Sequence, residues 1–331
     1  MTGINRVLVT GGAGYIGSHT THMLSEKGYD VLVYDRLYEG KTRKGNAIHL
    51  PAVPLIVGDL SDKNLLEGTI RMFKPDAVMH FAGSIEVNES MKNPGKYYKN
   101  NLINGIDLVK AMLNNGVDKI VFSSTAAVYG QPKTTPITEH TPKEPTNNYG
   151  LTKLLFERYL NSCESIKKVC LRYFNAAGAG YYIGEDHNPE THLIPLVLKT
   201  ALGQNDKIKV YGTDYDTPDG TCIRDYVHVL DLAEAHILAL DVVNSGRSET
   251  YNLGTGNGNS VLEVIRTAEN ITGREIKKEF WGRREGDPAI LVADPKKIHD
   301  ELGWRAKKDL AEIIESAWEW HLENPKRVTC S

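Results

Sequence analysis

The architecture of this chain is set by residues 6–17, which read RVLVTGGAGYIG. The first five residues form an apolar run, typical of a strand buried on both faces. Gly11, Gly14 and Gly17 follow, and apolar residues then recur at helical spacing. A glycine turn between a strand and a helix lets a dinucleotide pyrophosphate approach the backbone and meet the helix N-terminus. The alternative is a tight strand-to-helix turn without a ligand.

Outward from this stretch, strand candidates alternate with helical patterns as far as residue 174. The strand candidates are residues 31–34, 53–57, 77–81, 119–122 and 169–174, and helical patterns include residues 62–73, 102–113 and the segment from 148. This alternation predicts an α/β fold with a Rossmann-type, doubly wound parallel sheet. Beyond about residue 176 glycines interrupt the pattern. We therefore expect a nucleotide-binding domain at residues 1–176 and a smaller mixed α/β substrate lobe at 177–331, with some segments returning to the sheet.

Composition narrows the class of protein. The 331 residues carry a formal net charge of −3, which does not indicate a nucleic-acid footprint. A membrane-spanning run of apolar residues is not found, and the first residues read as a strand and not as a signal peptide. Four scattered cysteines are typical of a reduced, cytoplasmic protein. Clustered Cys/His spacing is also not found, so no metal site is predicted.

Two acids follow the next strands. Asp35 ends the second strand, where a carboxylate accepts hydrogen bonds from the adenosine ribose hydroxyls and repels a 2′-phosphate. This favours NAD over NADP, although the adjacent Arg36 could hold that phosphate. Asp59 follows the third strand and is placed to meet the adenine. Its alternative role is a helix cap at the end of the loop, before Ser61.

Tyr149 and Lys153 lie four residues apart, which places them on one face if the segment is helical. A free phenol is a poor base because its pKa is about 10. A nearby ammonium lowers that pKa, so the pair predicts a proton acceptor that works at cellular pH. Ser123-Ser124-Thr125 ends the fifth strand, where a hydroxyl can orient a substrate oxygen. The alternatives are an ordinary surface helix and a hydroxyl cluster that caps a turn.

Together these motifs resemble the extended short-chain dehydrogenase/reductase family. Motifs in the C-terminal half narrow the resemblance to the UDP-glucose (UDP-galactose) 4-epimerases within that family. The resemblance covers about residues 5–320. The motifs that carry this resemblance are Leu171-Arg172-Tyr173-Phe174-Asn175, residues 212–221, Arg224-Asp225-Tyr226-Val227-His228, Tyr251-Asn252-Leu253-Gly254 and Arg283-Arg284-Glu285-Gly286-Asp287.

The resemblance implies an isomerase that interconverts UDP-galactose and UDP-glucose through a 4-keto sugar, with NAD as hydride carrier. Tyr149 would take the proton of the 4-hydroxyl, Lys153 would hold the nicotinamide ribose, and Thr125 would bind the sugar oxygen. The implied cofactor-binding residues are Gly11, Gly14, Tyr15, Ile16, Gly17, Asp35, Arg36, Asp59, Leu60, Phe81, Ala82, Gly83, Asn100, Ser123, Tyr149, Lys153 and Tyr173.

The resemblance also implies a UDP-hexose site in the second lobe, and a homodimer that pairs the helices around residues 102–113 and 149–160. Two arginines would grip the diphosphate. The implied substrate-binding residues are Thr125, Tyr149, Asn175, His192, Leu193, Lys209, Val210, Tyr211, Arg224, Arg284, Asp287 and Leu291.

Four positions depart from the family pattern. Thr125 replaces the usual serine, and Ser84-Ile85-Glu86 replaces a stretch that usually supplies a cofactor-contacting lysine. His192 stands where asparagine is common. Leu291 has an intermediate size at the position that governs acceptance of N-acetylated sugars, so activity on UDP-GlcNAc and UDP-GalNAc is a hypothesis.

Two other functions compete with this interpretation. A sugar-nucleotide 4,6-dehydratase needs an acid and a base beside the hydroxyl residue, but Ala126 and Ala127 follow Thr125 and cannot transfer protons. A non-catalytic NAD-binding module would lack the tyrosine or the lysine, and both are present.

Overall fold

The computed structural model describes residues 3–37, 44–187, 189–284 and 286–324. The strands are β1 (Arg6–Thr10), β2 (Asp30–Asp35), β3 (Leu55–Val57), β4 (Ala77–His80), β5 (Lys119–Thr125), β6 (Lys167–Tyr173), β7 (Asn175–Ala177), β8 (Ile208–Tyr211), β9 (Ile223–Arg224), β10 (Tyr226–His228), β11 (Glu249–Leu253), β12 (Asn259–Ser260), β13 (Lys278–Trp281) and β14 (Ile290–Leu291). The α-helices are α1 (Tyr15–Glu26), α2 (Lys44–Ala47), α3 (Lys63–Phe73), α4 (Val87–Lys92), α5 (Pro94–Tyr97), α6 (Asn104–Asn114), α7 (Asn148–Ser162), α8 (Leu193–Ala201), α9 (Val229–Asn244), α10 (Val261–Thr272), α11 (Lys296–Leu302) and α12 (Leu310–Glu323).

The central sheet has seven strands in the order β11-β6-β5-β4-β1-β2-β3. The pairs β1–β2, β1–β4, β2–β3 and β4–β5 are parallel. The chain runs outward from β1 to β3 and then in the other direction from β4, so the order reverses between β1 and β4. Ligands of open α/β sheets bind beyond the carboxyl ends of the strands at such a reversal. The predicted doubly wound sheet is confirmed.

Packing divides the chain into two compact units. The first consists of Met1–Gly130, Lys143–Arg172 and Ala233–Tyr251, and the second of Gln131–Pro142, Tyr173–Leu232 and Asn252–Ser331. The core of the first unit includes Leu8, Ile70, Val109, Phe122 and Phe156. The core of the second includes Val197, Val210, Ile265, Ile313 and Trp318. The units interleave along the chain, and the functional division at residue 176 stays a prediction.

Several predicted elements differ from the structure at their ends, and three of these differences are instructive. β3 begins at Leu55 and not at residue 53, because Pro54 has no N–H for a strand ladder. β5 continues through Thr125, so the predicted hydroxyl residues are its last three positions. The stripe predicted from residue 102 begins within a π-helical turn, Tyr98–Ile103, and only then continues as α6.

Two further sequence expectations concern membranes and thiols. In the described ranges, no helix is long and apolar enough to span a bilayer. Cys163, Cys170 and Cys222 are free thiols. Cys330 lies outside the described residues.

Candidate active site

The glycine turn between β1 and α1 fits a bound dinucleotide. Gly11 has a φ of +76°, and a Cβ there would lie 2.5 Å from the backbone nitrogen of Ala82. A Cβ on Gly17 would lie 2.3 Å from the carbonyl oxygen of Gly11. The first turn of α1 therefore packs directly on the loop, and no side-chain hydrogen bond caps this helix at Gly14. Its first N–H groups are thus oriented for an anion.

Replacing Gly17 with alanine is expected to cost the protein both its cofactor and about 1–3 kcal/mol of stability, because backbone and not a flexible side chain opposes the new methyl group. The measurements are the dinucleotide released per chain on denaturation and the melting temperature. Gly68→Ala in α3 is the matched control, since a Cβ at Gly68 meets nothing within 4 Å. A Gly17→Ala protein that retains cofactor and melts like the parent would contradict this packing.

Asp35 is anchored to the same turn. Its Oδ2 accepts a hydrogen bond from the backbone N–H of Ala13 at 3.0 Å, and its Oδ1 accepts one from Leu37 at 3.0 Å. The carboxylate is buried at the carboxyl end of β2. Asp35 thus lies where the sequence placed it, beside the predicted pyrophosphate cradle.

Asp59 caps the turn before Ser61, but it does not cap a helix. Its Oδ1 accepts a hydrogen bond from the N–H of Ser61 at 2.8 Å, and Arg36 Nη1 lies 3.5 Å from its Oδ2. Although burial opposes the effect, these groups lower the pKa of Asp59. The helix cap itself is Asp62, which accepts from Leu65 N at 3.0 Å. Contact of Asp59 with an adenine stays a prediction.

The loop after β4 is held by a residue that the sequence did not indicate. Asn101 is buried, accepts from Ser84 N at 2.7 Å and donates to Ser84 O at 2.9 Å. The predicted Asn100 instead donates to Ser84 Oγ at 3.0 Å. A Cβ on Gly83 would lie 3.0 Å from Asn101 Oδ1. The Phe81-Ala82-Gly83 stretch is therefore fixed by the π-helical turn, for which the sequence carries no signal that we recognise.

Tyr149 and Lys153 lie in the first turns of α7, as predicted. The helix is capped by Asn147, whose side chain accepts from Gly150 N at 2.8 Å. The Tyr149 and Thr125 side chains are hydrogen-bonded. Lys153 Nζ donates to the carbonyl of Ser123 at 2.9 Å and lies 5.9 Å from the centroid of the Tyr149 ring. The phenol, the hydroxyl and the amine thus meet at the end of β5.

The pKa of Tyr149 differs from the expectation that Lys153 lowers it. Burial raises the pKa of Tyr149, and the hydrogen bond with Thr125 opposes that rise only in part. Burial also lowers the pKa of Lys153 to about 8, against the attraction of Glu157. The ammonium bonds a carbonyl and stays several ångströms from the phenol, so Lys153 alone does not make Tyr149 acidic. Further positive charge is needed.

The three predicted hydroxyls have different partners. Ser123 offers its carbonyl to Lys153. Ser124 Oγ donates to the buried Glu157 at 2.5 Å, and Arg172 donates to the same carboxylate through Nε at 2.9 Å and Nη2 at 2.5 Å. Thr125 is hydrogen-bonded to Tyr149. The sequence missed the Ser124–Glu157–Arg172 network, because it joins three distant segments.

His80, at the end of β4, is held neutral. Its Nδ1 lies 2.7 Å from Thr10 Oγ1, and burial, with the charge of Lys153, lowers the pKa of His80 to about 3. A neutral imidazole adds no positive charge near Tyr149. His80 is therefore a packing residue under the site.

In the second unit, the predicted nucleotide-binding residues form two groups. Arg224 donates to the carbonyl of Pro288 at 2.9 Å and to Asp287 Oδ1 at 3.3 Å, and it pairs with Leu291 between β9 and β14. The Arg284 guanidinium lies 3.9 Å from the Tyr211 ring centroid. Arg224, Asp287 and Leu291 are thus brought together, with Arg284 stacked on an aromatic ring.

The remaining predicted residues of this unit lie on other elements. Lys209 Nζ lies 4.2 Å from the Trp281 ring, and the side chain of Val210 is buried in the core, so only its backbone is available. Asn175 N donates to Asp225 O at 2.9 Å. Tyr173, a predicted cofactor contact, ends β6.

His192 immediately precedes α8, which begins at Leu193. Its Nδ1 lies 2.9 Å from Glu185 Oε1 and 3.1 Å from Glu190 Oε1. Although burial opposes it, the negative charge of these carboxylates raises the pKa of His192 well above its usual value. The predicted contact of His192 with a uridine stays a prediction, and the acidic partners were not anticipated.

Comparison with known proteins is consistent across sequence and structure. The model of the NAD dependent epimerase/dehydratase family matches residues 7–254. A UDP-glucose 4-epimerase of Halalkalibacterium halodurans is 49% identical over 326 residues, which cover 96% of each chain. The crystal structure of UDP-glucose 4-epimerase from Bifidobacterium longum in complex with NAD⁺ and UDP superposes with a TM-score of 0.89 at 42% identity, over 97% of this chain and 99% of that one.

A third relative bears on sugar choice. The UDP-Glc/GlcNAc 4-epimerase from Campylobacter jejuni has a TM-score of 0.84 at 41% identity, over 96% of this chain and 99% of that one.

Proposed function

The chain belongs to the NAD dependent epimerase/dehydratase family, and from this premise we propose that it is an NAD-dependent UDP-glucose 4-epimerase that interconverts UDP-galactose and UDP-glucose. The observation that carries the proposal is the hydrogen-bonded Tyr149–Thr125 pair beside Lys153 at the end of β5. Near-full-length similarity to UDP-glucose 4-epimerases supports the same activity.

The residues present fit NAD. Gly11 and Gly17 place no side chain where a pyrophosphate must approach the backbone. Asp35 is hydrogen-bonded to the same turn through the backbone N–H of Ala13. A carboxylate at Asp35 favours the free ribose hydroxyls of NAD over the phosphate of NADP. Arg36 lies beside Asp59, which moderates its attraction for a phosphate. NAD, when bound, supplies a hydride acceptor for carbon 4 of the hexose and returns the hydride to the opposite face.

Tyr149 acts as the base that removes the proton of the 4-hydroxyl and as the acid that returns it. Thr125 positions the sugar oxygen through its own hydroxyl. Lys153 is anchored on Ser123 O, where it can hold the nicotinamide ribose. Lys153 and the positive charge of the oxidised nicotinamide would together lower the raised pKa of Tyr149, since each favours the phenolate.

The second unit binds the UDP. Arg224 and Arg284 grip the diphosphate, where a guanidinium can make paired hydrogen bonds. The contacts to Pro288 O and Asp287 orient Arg224 in advance, and stacking on Tyr211 orients Arg284. Asp287 then accepts from the uridine ribose, and Asn175, His192, Leu193 and the backbone of Lys209–Tyr211 complete the nucleotide contacts. A sugar that turns over in the site cannot be held tightly, so UDP supplies the binding energy.

The alternatives are weaker. Ala126 and Ala127 cannot supply the proton transfers of a 4,6-dehydratase. Leu291 is of intermediate size, and the Campylobacter jejuni relative is described as a UDP-Glc/GlcNAc epimerase. Turnover of N-acetylated sugars is therefore a second candidate activity of the same site. UDP-glucose is the preferred assignment, because the curated relatives are named for it.

We also infer a homodimer through the helices around residues 102–113 and 149–160. Large apolar side chains are exposed there, with Ile103 at 51% and Leu113 at 37%. Sedimentation equilibrium measures the oligomeric state, and a protein that is monomeric at micromolar concentration would rule the dimer out. The free thiols favour a cytoplasmic location, which cell fractionation tests.

The decisive experiment incubates the purified protein with UDP-galactose and separates the products. Formation of UDP-glucose is expected, without added oxidant or reductant, because the hydride is returned. UDP-GalNAc in a parallel reaction tests the tolerance of Leu291. Protein that retains NAD yet converts no UDP-galactose would overturn the epimerase and favour a binding module.

A further inference from the structure

Four metal-binding side chains come together in the segment that leads into α8, within the second unit. They are Glu185, His187, Glu190 and His192. Glu185 and Glu190 are deeply buried, with side-chain exposures of 6% and 3%, and His187 is 11% exposed. None of the motifs that predicted the fold or the active site required such a cluster.

The spacing of the four groups suits a tetrahedral ion. One ligand atom from each residue lies within 4.8 Å of all the others. The nitrogen–oxygen distances between neighbouring ligands lie between 2.9 and 3.9 Å. The shortest joins His192 Nδ1 and Glu185 Oε1, and the longest joins His187 Nδ1 and Glu190 Oε2. A tetrahedral Zn²⁺ with bonds of about 2.0 Å separates its ligand atoms by about 3.3 Å. The four side chains therefore need only small shifts to surround one ion.

Glu190 gives an independent indication of a missing partner. Its Oε1 accepts from the backbone N–H groups of Thr191 at 2.8 Å and His192 at 2.9 Å. Its Oε2 is buried and has no hydrogen-bond partner among the residues that the structure describes. A buried carboxylate oxygen without a hydrogen bond costs free energy. That atom faces His187 Nδ1, toward the centre of the cluster.

Charge balance points the same way. A neutral imidazole is the form that binds metal, so in a metal-bound cluster the two buried carboxylates are the charged ligands. A divalent cation would cancel both charges at the centre of the cluster. We propose that Glu185, His187, Glu190 and His192 form a structural Zn²⁺ site that ties together the segment leading into α8, as far as His192, the residue immediately before that helix.

The ligand set selects the metal. Two imidazole nitrogens and two carboxylate oxygens suit Zn²⁺, whereas Ca²⁺ and Mg²⁺ prefer oxygen ligands alone. Both histidines present Nδ1 to the cluster. Ligation of His192 through Nδ1 leaves its Nε2 free to serve the nucleotide, so the zinc site and the proposed uridine contact are compatible. The absence of clustered Cys/His spacing predicted no metal site, but this ligand set mixes two histidines with two glutamates and contains no cysteine.

The test uses the untagged full chain, stripped by chelator and dialysed. Titration with ZnCl₂ is expected to bind about one zinc per chain by elemental analysis and to raise the melting temperature by several degrees. MgCl₂ should do neither. Co²⁺ in place of zinc should give the intense visible absorption of a tetrahedral site. These readouts do not depend on epimerase activity, so they succeed or fail separately from the proposed function.

His187→Ala and Glu190→Gln should each abolish the stoichiometric zinc and the rise in melting temperature. His140→Ala is the matched control, since this exposed histidine lies in the same unit and outside the cluster. If Glu190→Gln fails to fold, the His187→Ala variant and the Co²⁺ spectrum of the parent still decide whether the cluster binds a metal ion. Absence of stoichiometric zinc in the parent, or equal zinc in His187→Ala, would leave an ion-paired cluster only and overturn the proposal.

Discussion

Replacing Tyr149 with phenylalanine is expected to lower the turnover of UDP-galactose by about 10²–10⁴-fold, the usual contribution of a positioned acid/base group. The ring and its packing remain, while the hydroxyl that is bonded to Thr125 is lost. Nothing in the Gly11–Gly17 turn or at Asp35 changes, so NAD should stay bound. The measurements are the turnover number and the NAD released per chain on denaturation.

Tyr182→Phe is the matched control, because this tyrosine is 75% exposed and lies outside both groups of site residues. It should leave turnover and bound NAD at the parent level. If Tyr149→Phe retains turnover within a few-fold of the parent, another group takes the proton and the assigned role of Tyr149 is refuted. Loss of NAD together with turnover would instead show that the Tyr149 hydroxyl also holds the cofactor.

Glu157→Gln is expected to lower the free energy of unfolding by about 3–5 kcal/mol, the typical cost of leaving one partner of a buried ion pair unpaired. Arg172 donates twice to this carboxylate and is itself only 4% exposed. The neutral amide keeps the volume and removes the charge. Urea denaturation of parent and variant measures the loss. The same change removes the attraction that supports the charge of Lys153, so the pKa of Lys153 should fall further.

Two controls separate the ion pair from general damage. Glu164 is exposed and lies just after α7. Glu164→Gln should therefore change the free energy of unfolding by less than about 0.5 kcal/mol. The double variant Glu157→Gln/Arg172→Met should be more stable than the single variant, because it no longer buries an unpaired guanidinium. A single variant as stable as Glu164→Gln would show that water or another group compensates Arg172.

The sequence alone determined the architecture and indicated the proposed catalytic groups. Apolar runs alternating with helical periodicity specify which faces are buried, and those faces specify a parallel sheet. Gly11, Gly14 and Gly17 identified the turn before any coordinates, since only glycine tolerates such close backbone approach. Helix geometry places Tyr149 and Lys153 on one face, and the family resemblance of the surrounding motifs indicates their role. All of these signals are local, or repeat with a fixed period.

Only the tertiary structure decided how those groups behave. The pKa of Tyr149 is raised and not lowered, because burial is a property of the packed chain and Lys153 turns to a carbonyl. Glu157 joins Ser124 to Arg172, and Asn101 holds Ser84, across segments whose separation in sequence carries no pattern. Desolvation and long-range hydrogen bonds depend on which segments meet, and spacing along the chain does not encode that.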